Sequence, residues 1–354
     1  MLWVLAVASA ATGAWARDFI AHRGVNLRST IAGENSVEAV ELARRAGFRA
    51  IETDVRLSAD DSLVVMHDAT LDRTCLRADG SPVTGAVDVA SLTWEQLRRD
   101  YRLLADSVAM QSRIPSLSEF LTACRDAGLY VFIEPKLTDE SGRFYRRIID
   151  VADGVFGRGN YVVTSNNRAN EIIRDTLGVR DVPLMGILYQ TTFDSIARLG
   201  NCIMAVSASR FADGDFHANV ALSRRHGLRC ESHADNFARF SKINRDTVDY
   251  VSTDFLAPDF NGQGRVVRSL AESAPALPLR RELEPSGFGG LYLELSLEGE
   301  AEITLGPQVF RAGGPGTTTV IHQVMTYGAT PVLEIRPLTA DTAVGSLTLR
   351  QIEY

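Results

Sequence analysis

Four short apolar runs in this chain end in ionisable side chains. Phe19-Ile20-Ala21 leads into His22-Arg23, Ile51 into Glu52-Thr53-Asp54, Val64-Val65-Met66 into His67-Asp68, and Phe132-Ile133 into Glu134-Pro135-Lys136. An extended strand alternates its faces, so Glu52 and Asp54 point the same way, as do Glu134 and Lys136. Two carboxylates held side by side repel unless one takes a proton or a cation sits between them. Oxygen donors at this spacing suit one divalent cation, Mg²⁺ or Ca²⁺, with Glu134 as a third candidate ligand. Lys136 and Arg23 are candidate contacts for phosphate oxygens, Arg23 through its planar fork. His22 and His67, each at the end of an apolar run, are the candidate acid and base for chemistry across a metal-bound phosphate. The other histidines, His217, His226, His233 and His322, read as hydrogen-bonded packing residues.

Such residues need a scaffold that brings several strand ends to one rim. Apolar runs at Tyr130–Ile133, Tyr161–Ser165, Leu184–Leu188, Ile203–Ser207, Leu228–Ser232 and Asp249–Asp254 alternate with helical periodicity. The helical stretches lie near Leu117–Ala127, Arg143–Val151, Arg168–Leu177, Thr192–Leu199 and Phe216–Arg225. With strands at Phe19–Ala21 and Arg49–Val55, the pattern is that of an α/β protein, a (β/α)₈ TIM barrel over residues 17–265. Asn35 or Ser36 caps the first helix and Gly47 ends it. Residues 68–113, rich in turn formers with one helical piece near Thr93–Arg102, form a loop insertion and a candidate lid. The composition then changes near Ser269, where Pro275, Pro278 and Arg280-Arg281-Glu282 read as a linker. Residues 280–354 alternate in the strand manner and predict roughly six short strands of a small all-β, β-sandwich-like accessory domain.

A formal net charge of −7 gives the chain no general attraction for nucleic acid or anionic lipid. An anionic substrate must therefore be met by local positive charge. Of the 37 basic residues only Lys136 and Lys242 are lysines, which singles out Lys136 as a compact ammonium beside Glu134. Residues 2–16 carry no charge and end in Ala14-Trp15-Ala16, the pattern of a cleaved export signal and too short to span a bilayer. A periplasmic or secreted location is expected, with His22 close to the new amino terminus. Cys75, Cys124, Cys202 and Cys230 have no C-x-x-C spacing and argue against zinc. Spacing alone sets neither their pairing nor the oligomeric state.

Residues 19 to about 136 resemble the glycerophosphodiester phosphodiesterase family. The matching pieces are His22-Arg23-Gly24, Glu34-Asn35-Ser36, Ile51-Glu52-Thr53-Asp54-Val55, Val65-Met66-His67-Asp68 with Leu71-Asp72-Arg73-Thr74, Ile114-Pro115-Ser116-Leu117, and Ile133-Glu134-Pro135-Lys136. Ser252-Thr253-Asp254-Phe255 extends the similarity more weakly to about residue 260. The resemblance implies a TIM barrel in which Glu52, Asp54 and Glu134 bind a divalent cation and His22 and His67 are the catalytic pair. Arg23, Lys136, Glu34 and Asn35 are then the substrate-binding residues. It further implies that the glycerol hydroxyl next to the phosphoester attacks phosphorus, and that water opens the resulting cyclic phosphate. The substrate would be a small or polymeric glycerophosphodiester, with the C-terminal residues a candidate contact for a surface glycan or membrane lipid. Two alternatives stand beside this reading: a lipid headgroup hydrolase of the lysophospholipase D or sphingomyelinase D kind, and a non-catalytic phosphodiester- or glycan-binding protein. Three departures accompany the resemblance. Gly33 stands where the family commonly has proline, and Asp60-Asp61 replaces an Asp-Gly turn. On the seventh strand, Cys230-Glu231-Ser232-His233-Ala234-Asp235-Asn236 replaces Trp-Thr-Val-Asn, which leaves Glu231 or His233 as candidates to face substrate.

Overall fold

The computed structural model describes residues 18–25, 31–105, 110–234, 239, 242–243, 248–254, 265–285, 287–327 and 330–353. The expected export signal, residues 1–16, lies outside the described residues. The chain opens with β1 (Asp18–Ala21), α1 (Val37–Arg45), β2 (Ala50–Leu57) and β3 (Leu63–Val65). An insertion follows, with β4 (Cys75–Arg77), α2 (Trp94–Asp100) and β5 (Tyr101–Leu103). The alternation then runs α3 (Leu117–Asp126), β6 (Tyr130–Pro135), α4 (Arg143–Phe156), β7 (Val162–Ser165), α5 (Asn167–Glu171), β8 (Leu184–Ile187) and α6 (Phe193–Leu199). It finishes with β9 (Cys202–Ala205), α7 (Asp213–Arg225), β10 (Arg229–Ala234) and β11 (Tyr250–Thr253).

Eight of these strands are parallel and follow the order β1-β2-β6-β7-β8-β9-β10-β11, and β1 pairs with both β2 and β11, so the sheet closes into a barrel. β3 is an antiparallel hairpin partner on β2, as the polar turn at Ser58–Ser62 predicts. The helix starts follow the capping chemistry of the sequence. Ser36 caps α1 by accepting from the Ala39 amide, Gly47 ends that helix, and Ser116 with Glu119 forms a capping box at α3.

Strand parity divides the barrel interior into layers. Ile20, Ala50, Phe132, Val162, Met185, Ile203 and Ala205 form one buried apolar cluster across the strands. Two residues further along each strand, the same inward parity delivers His22, Glu52, Glu134, Thr164 and Ile187 towards the C-terminal rim. An apolar plug therefore lies beneath a polar layer, which is what holds the ionisable groups away from bulk water on one side.

The insertion departs from the expected loop. Leu71, Cys75, Val83, Val89, Leu97, Tyr101 and Leu103 form their own buried cluster, continuous with Val64, Met66 and Ile114. The described residues 68–105 are therefore a packed unit joined to β3, and an apolar centre of this size argues against a lid that opens freely. The four cysteines are buried thiols without disulfide partners.

The C-terminal residues form one antiparallel sheet of six strands: β12 (Arg265–Ser273), β13 (Leu279–Glu282), β14 (Phe288–Leu305), β15 (Gln308–Tyr327), β16 (Val332–Pro337) and β17 (Ala343–Glu353). Two differences from the sequence reading stand out. The stretch read as a linker takes in the end of β12, which pairs with β17, and all of β13, which pairs with β16. Moreover, the strands are not uniformly short, since β14 and β15 run for 18 and 20 residues as one hairpin. Gly299 and Gly313, which look like turn signals, lie at a register shift in that hairpin with φ of +73° and +102°. A Cβ on Gly313 would stand 2.0 Å from the Gly299 carbonyl oxygen, so glycine lets the ladder continue through a bulge.

One buried cation holds the outer shell of the barrel. Arg174, fully buried, donates to the carbonyls of Leu199, Val179, Val182, Gly200 and Asn201, tying the turn after α5 to the entries of β8 and β9. Arg174→Met would leave these acceptors unsatisfied. We expect a loss of at least ~3 kcal/mol in denaturant unfolding, with no such loss for the exposed Arg180→Met.

Candidate active site

Glu52 and Asp54 on β2 meet Glu134 on β6, where the strand register sets Asp54 opposite Glu134. One oxygen from each of the three carboxylates lies within 4.8 Å of the other two. Lys136 Nζ bridges Asp54 Oδ1 at 2.9 Å and Glu134 Oε1 at 2.8 Å. Arg23 lies 3.4 Å from Asp54 Oδ2 through Nε, and its backbone amide donates to Glu52 Oε2 at 3.1 Å. Arg23 adopts φ +54° and Gly24 φ +79°, a left-handed turn that aims this amide into the site. A Cβ on Gly24 would stand 2.6 Å from Ala39 Cβ, so the first corner of the site can pack on α1 only as glycine.

The three acids do not share their charge evenly. Burial, and then the neighbouring Asp54, raise the Glu52 pKa to about 8. Asp54 is also penalised by burial, but Lys136 and Arg23 outweigh this and hold it below its ordinary value. Glu52 Oε1 is buried without a hydrogen-bond partner. A crowded set of oxygen donors with one orphaned buried oxygen is the environment that a hard divalent cation relieves, so these residues fit Mg²⁺ or Ca²⁺.

His22 enters from β1. Its Nδ1–H donates to Asp254 Oδ1 at 2.5 Å, and its Nε2 stands 3.8 Å from Glu52 Oε2. Burial disfavours the imidazolium, but the Asp254 hydrogen bond and the charges of Glu52 and Asp254 prevail and raise its pKa to about 9. His233 stands edge-on to His22 with ring centroids 4.8 Å apart, and its Nδ1 is 3.1 Å from Ser252 Oγ. The Ser252 hydroxyl donates in turn to Glu231 Oε1 at 2.5 Å. His233, first read as a packing residue, thus joins the site, and Glu231 lines the same cavity.

His67, at the end of β3, is set differently. Its Nδ1 pairs with Asp68 Oδ1 at 2.6 Å, but Asp68 is also held by Arg73 through Nε at 2.5 Å and Nη2 at 2.9 Å. Burial is the largest influence on the ring and, with the charges of Lys136 and Arg23, outweighs Asp54 and Asp68 and lowers the His67 pKa. The cavity lined by His22, Glu52 and Glu134 does not include His67, which senses the site through the charge of Asp54.

Glu34 and Asn35 occupy supporting positions. Glu34 is 4% exposed and bound by Arg73 at 2.8 and 2.9 Å and by Arg23 at 3.2 Å. Asn35, 1% exposed, donates Nδ2 to Asp54 Oδ2 at 2.8 Å and accepts from Thr53 Oγ1 at 2.8 Å. Asn35 thus braces Asp54 and Glu34 braces Arg23, and the resemblance implies substrate contact for both. Asp254, His22's partner, carried only a weak sequence signal in Ser252-Thr253-Asp254. Its inward parity with Ser252 at the end of the last barrel strand is the signal that points to it.

Fold and site together define a parallel (β/α)₈ barrel with an acid-rich, cation-fitting rim flanked by histidines and basic side chains. Residues 22–174 match the Glycerophosphoryl diester phosphodiesterase family. The chain is 36% identical over 122 residues to glycerophosphodiester phosphodiesterase 1 of Bos taurus, an alignment covering 33% of each protein. It is 38% identical over 118 residues to a probable glycerophosphodiester phosphodiesterase 2 of Mycobacterium tuberculosis, covering 33% of this chain and 39% of that one. The matched segment thus spans about a third of these relatives' length. In fold, the chain is similar to an Oleispira antarctica phosphodiesterase solved with sn-glycerol-3-phosphate. The TM-score is 0.53 at 20% identity, over 67% of this chain and 92% of the other. Residues 22–174 are thus similar in sequence to glycerophosphodiester phosphodiesterases, and the barrel is similar in fold to solved members of that group.

The His22–Asp254 pair has a measurable signature. A raised histidine pKa contributes stability that is complete below the unfolded value of about 6.5 and is lost as pH rises through about 9. In metal-free protein, NMR titration of His22 should show a pKa near 9 that falls by at least about one unit in Asp254→Asn. An unchanged midpoint would show that Asp254 does not hold the proton.

Proposed function

We propose that the barrel hydrolyses glycerophosphodiesters to a glycerol phosphate and an alcohol. The observation that carries this reading is the Glu52-Asp54-Glu134 cluster, with Glu52 and Asp54 buried and one Glu52 oxygen orphaned, together with His22 beside Glu52 and His67 within reach of the Asp54 charge, whose surroundings push their protons in opposite directions. Titratable pairs driven apart in this way supply an acid and a base at one pH. A divalent cation held by Glu52, Asp54 and Glu134 would neutralise charge on the phosphoryl oxygens. Arg23 and Lys136 add fixed positive charge beside it.

His67, kept neutral, accepts the proton of the glycerol hydroxyl adjacent to the phosphoester as that oxygen attacks phosphorus. His22, kept protonated by Asp254, delivers a proton from Nε2 to the departing alcohol oxygen as the second P–O bond breaks. In the return step His22 takes a proton from water and His67 returns its own to the oxygen released when the cyclic phosphate opens. Because the nucleophile belongs to the substrate, its high effective molarity removes the need for a serine or cysteine nucleophile. The cavity, of about 310 Å³, is at the lower end of ligand sites and favours a small diester or a polymer end over a lysophospholipid. The uncharged stretch 2–16 supports export of the chain before it acts.

Hydrolysis of glycerophosphodiesters should stop with chelator and return with Mg²⁺ or Ca²⁺, and turnover of lysophosphatidylcholine should be at least ~10-fold poorer. Activity indifferent to chelator would remove the cation from the reaction. His22→Ala and His67→Ala should each fold normally and lose at least ~10²-fold in kcat, and a variant near wild-type rate would overturn its histidine's role.

A further inference from the structure

The cavity extends well beyond the carboxylates, and its other half has its own chemistry. In a closed barrel of eight strands, the strand four places round lies across the axis, and β9 stands in that relation to β2. The loop after β9 brings Ser207, Ser209 and Arg210 to the cavity, and the loop after β8 brings Tyr189. Arg210 Cζ lies 3.8 Å from the centroid of the Tyr189 ring. Between this edge and the acids the rim carries Thr164 and Ile187, over a floor of Phe132 and Met185.

Two contrasts give Arg210 its meaning. At the acid end, the positive charges of Arg23 and Lys136 are taken up by Glu34, Asp54 and Glu134. Arg210 forms no ion pair with any described residue, so its charge is directed to solvent and to whatever enters the cavity. The second contrast concerns Tyr189. An aromatic face at a cavity rim would ordinarily welcome a quaternary ammonium, but here that face is already covered by a guanidinium. A positively charged alcohol would meet a filled π face and a like charge.

Resting on the hydrolase reading above, we propose that Arg210, braced on Tyr189, forms the subsite for the departing alcohol and selects alcohols that carry an oxyanion. With the phosphoester at the carboxylates, the alcohol projects across the apolar floor towards the opposite edge. There the guanidinium fork receives a phosphate or carboxylate oxygen, and the Ser207 and Ser209 hydroxyls, 2.9 Å apart, supply further polar contacts. A glycerol already bearing a second phosphodiester fits this description, and choline does not.

Steady-state hydrolysis by the metal-loaded full chain of three diesters, glycerophosphocholine, glycerophosphoglycerol and bis(glycerophospho)glycerol, tests the assignment at low salt. For the wild type, kcat/KM for bis(glycerophospho)glycerol should exceed that for glycerophosphocholine by ~10-fold or more. Arg210→Gln should erase most of that preference while changing kcat/KM for glycerophosphoglycerol by less than ~3-fold, and Arg210→Lys should fall between them. A wild-type preference for the choline diester, or an equal loss on all three substrates in Arg210→Gln, overturns the subsite but leaves the hydrolase reading intact. If the chain hydrolyses none of the three, the hydrolase reading fails, and calorimetric binding of the same diesters reads the subsite by itself. A tighter Kd for bis(glycerophospho)glycerol that Arg210→Gln removes then supports it, and equal affinities overturn it.

Discussion

Three carboxylates forced together inside a barrel are the constraint on which the rest of the site depends. Glu52, Asp54 and Glu134 would repel each other strongly in a poorly hydrated interior, and the fold holds them there only because positive groups surround them. Lys136 bridges two of them, Arg23 approaches from the turn after β1, and His22 faces Glu52. The residues behind these contacts follow from the same requirement. Glu34 and Arg73 fix Arg23, and Asn35 fixes Asp54 through an amide whose oxygen also accepts from Thr53. Without such bracing, long basic side chains would lose much of their attraction to rotamer entropy.

The barrel supplies the dielectric setting as well as the positions. An apolar layer from Ile20 to Ala205 closes the interior below the acids, so the site is open on one side only. Within that setting two histidines of the same intrinsic chemistry diverge. Each meets a carboxylate through Nδ1, but Asp68 is already held by Arg73, whereas Asp254 stabilises the His22 imidazolium. Burial, helped by the charge of Lys136, prevails at His67, whereas Asp254 and Glu52 together outweigh burial at His22.

Parts of this arrangement are legible in local sequence because strand parity is a local property. Glu52 with Asp54 and Glu134 with Lys136 fall on shared faces by spacing alone, and the eight apolar runs interleaved with helical stretches specify the barrel. Ser36 and Gly47 mark the ends of α1 for equally local reasons. A glycine does not by itself tell a turn from a bulge, as at Gly299 and Gly313, since both ask for the same backbone freedom. The insertion 68–113 misleads because its turn-rich sequence conceals apolar residues that meet only when folded.

The sequence by itself therefore determined which residue types lie at strand ends, which of them share a face, and that an acid-rich rim able to fit a cation results. Tertiary structure decided who partners whom. Closure between β1 and β11 sets Asp254 against His22 across 232 residues of chain, and the circular strand order sets Arg210 across the cavity from Glu52. Glu34 and Asn35, in the turn before α1, found their partners in Arg23, Arg73 and Asp54. Parity acts over two residues and can be read along the chain, whereas a hydrogen-bond partner depends on the closed ring of strands.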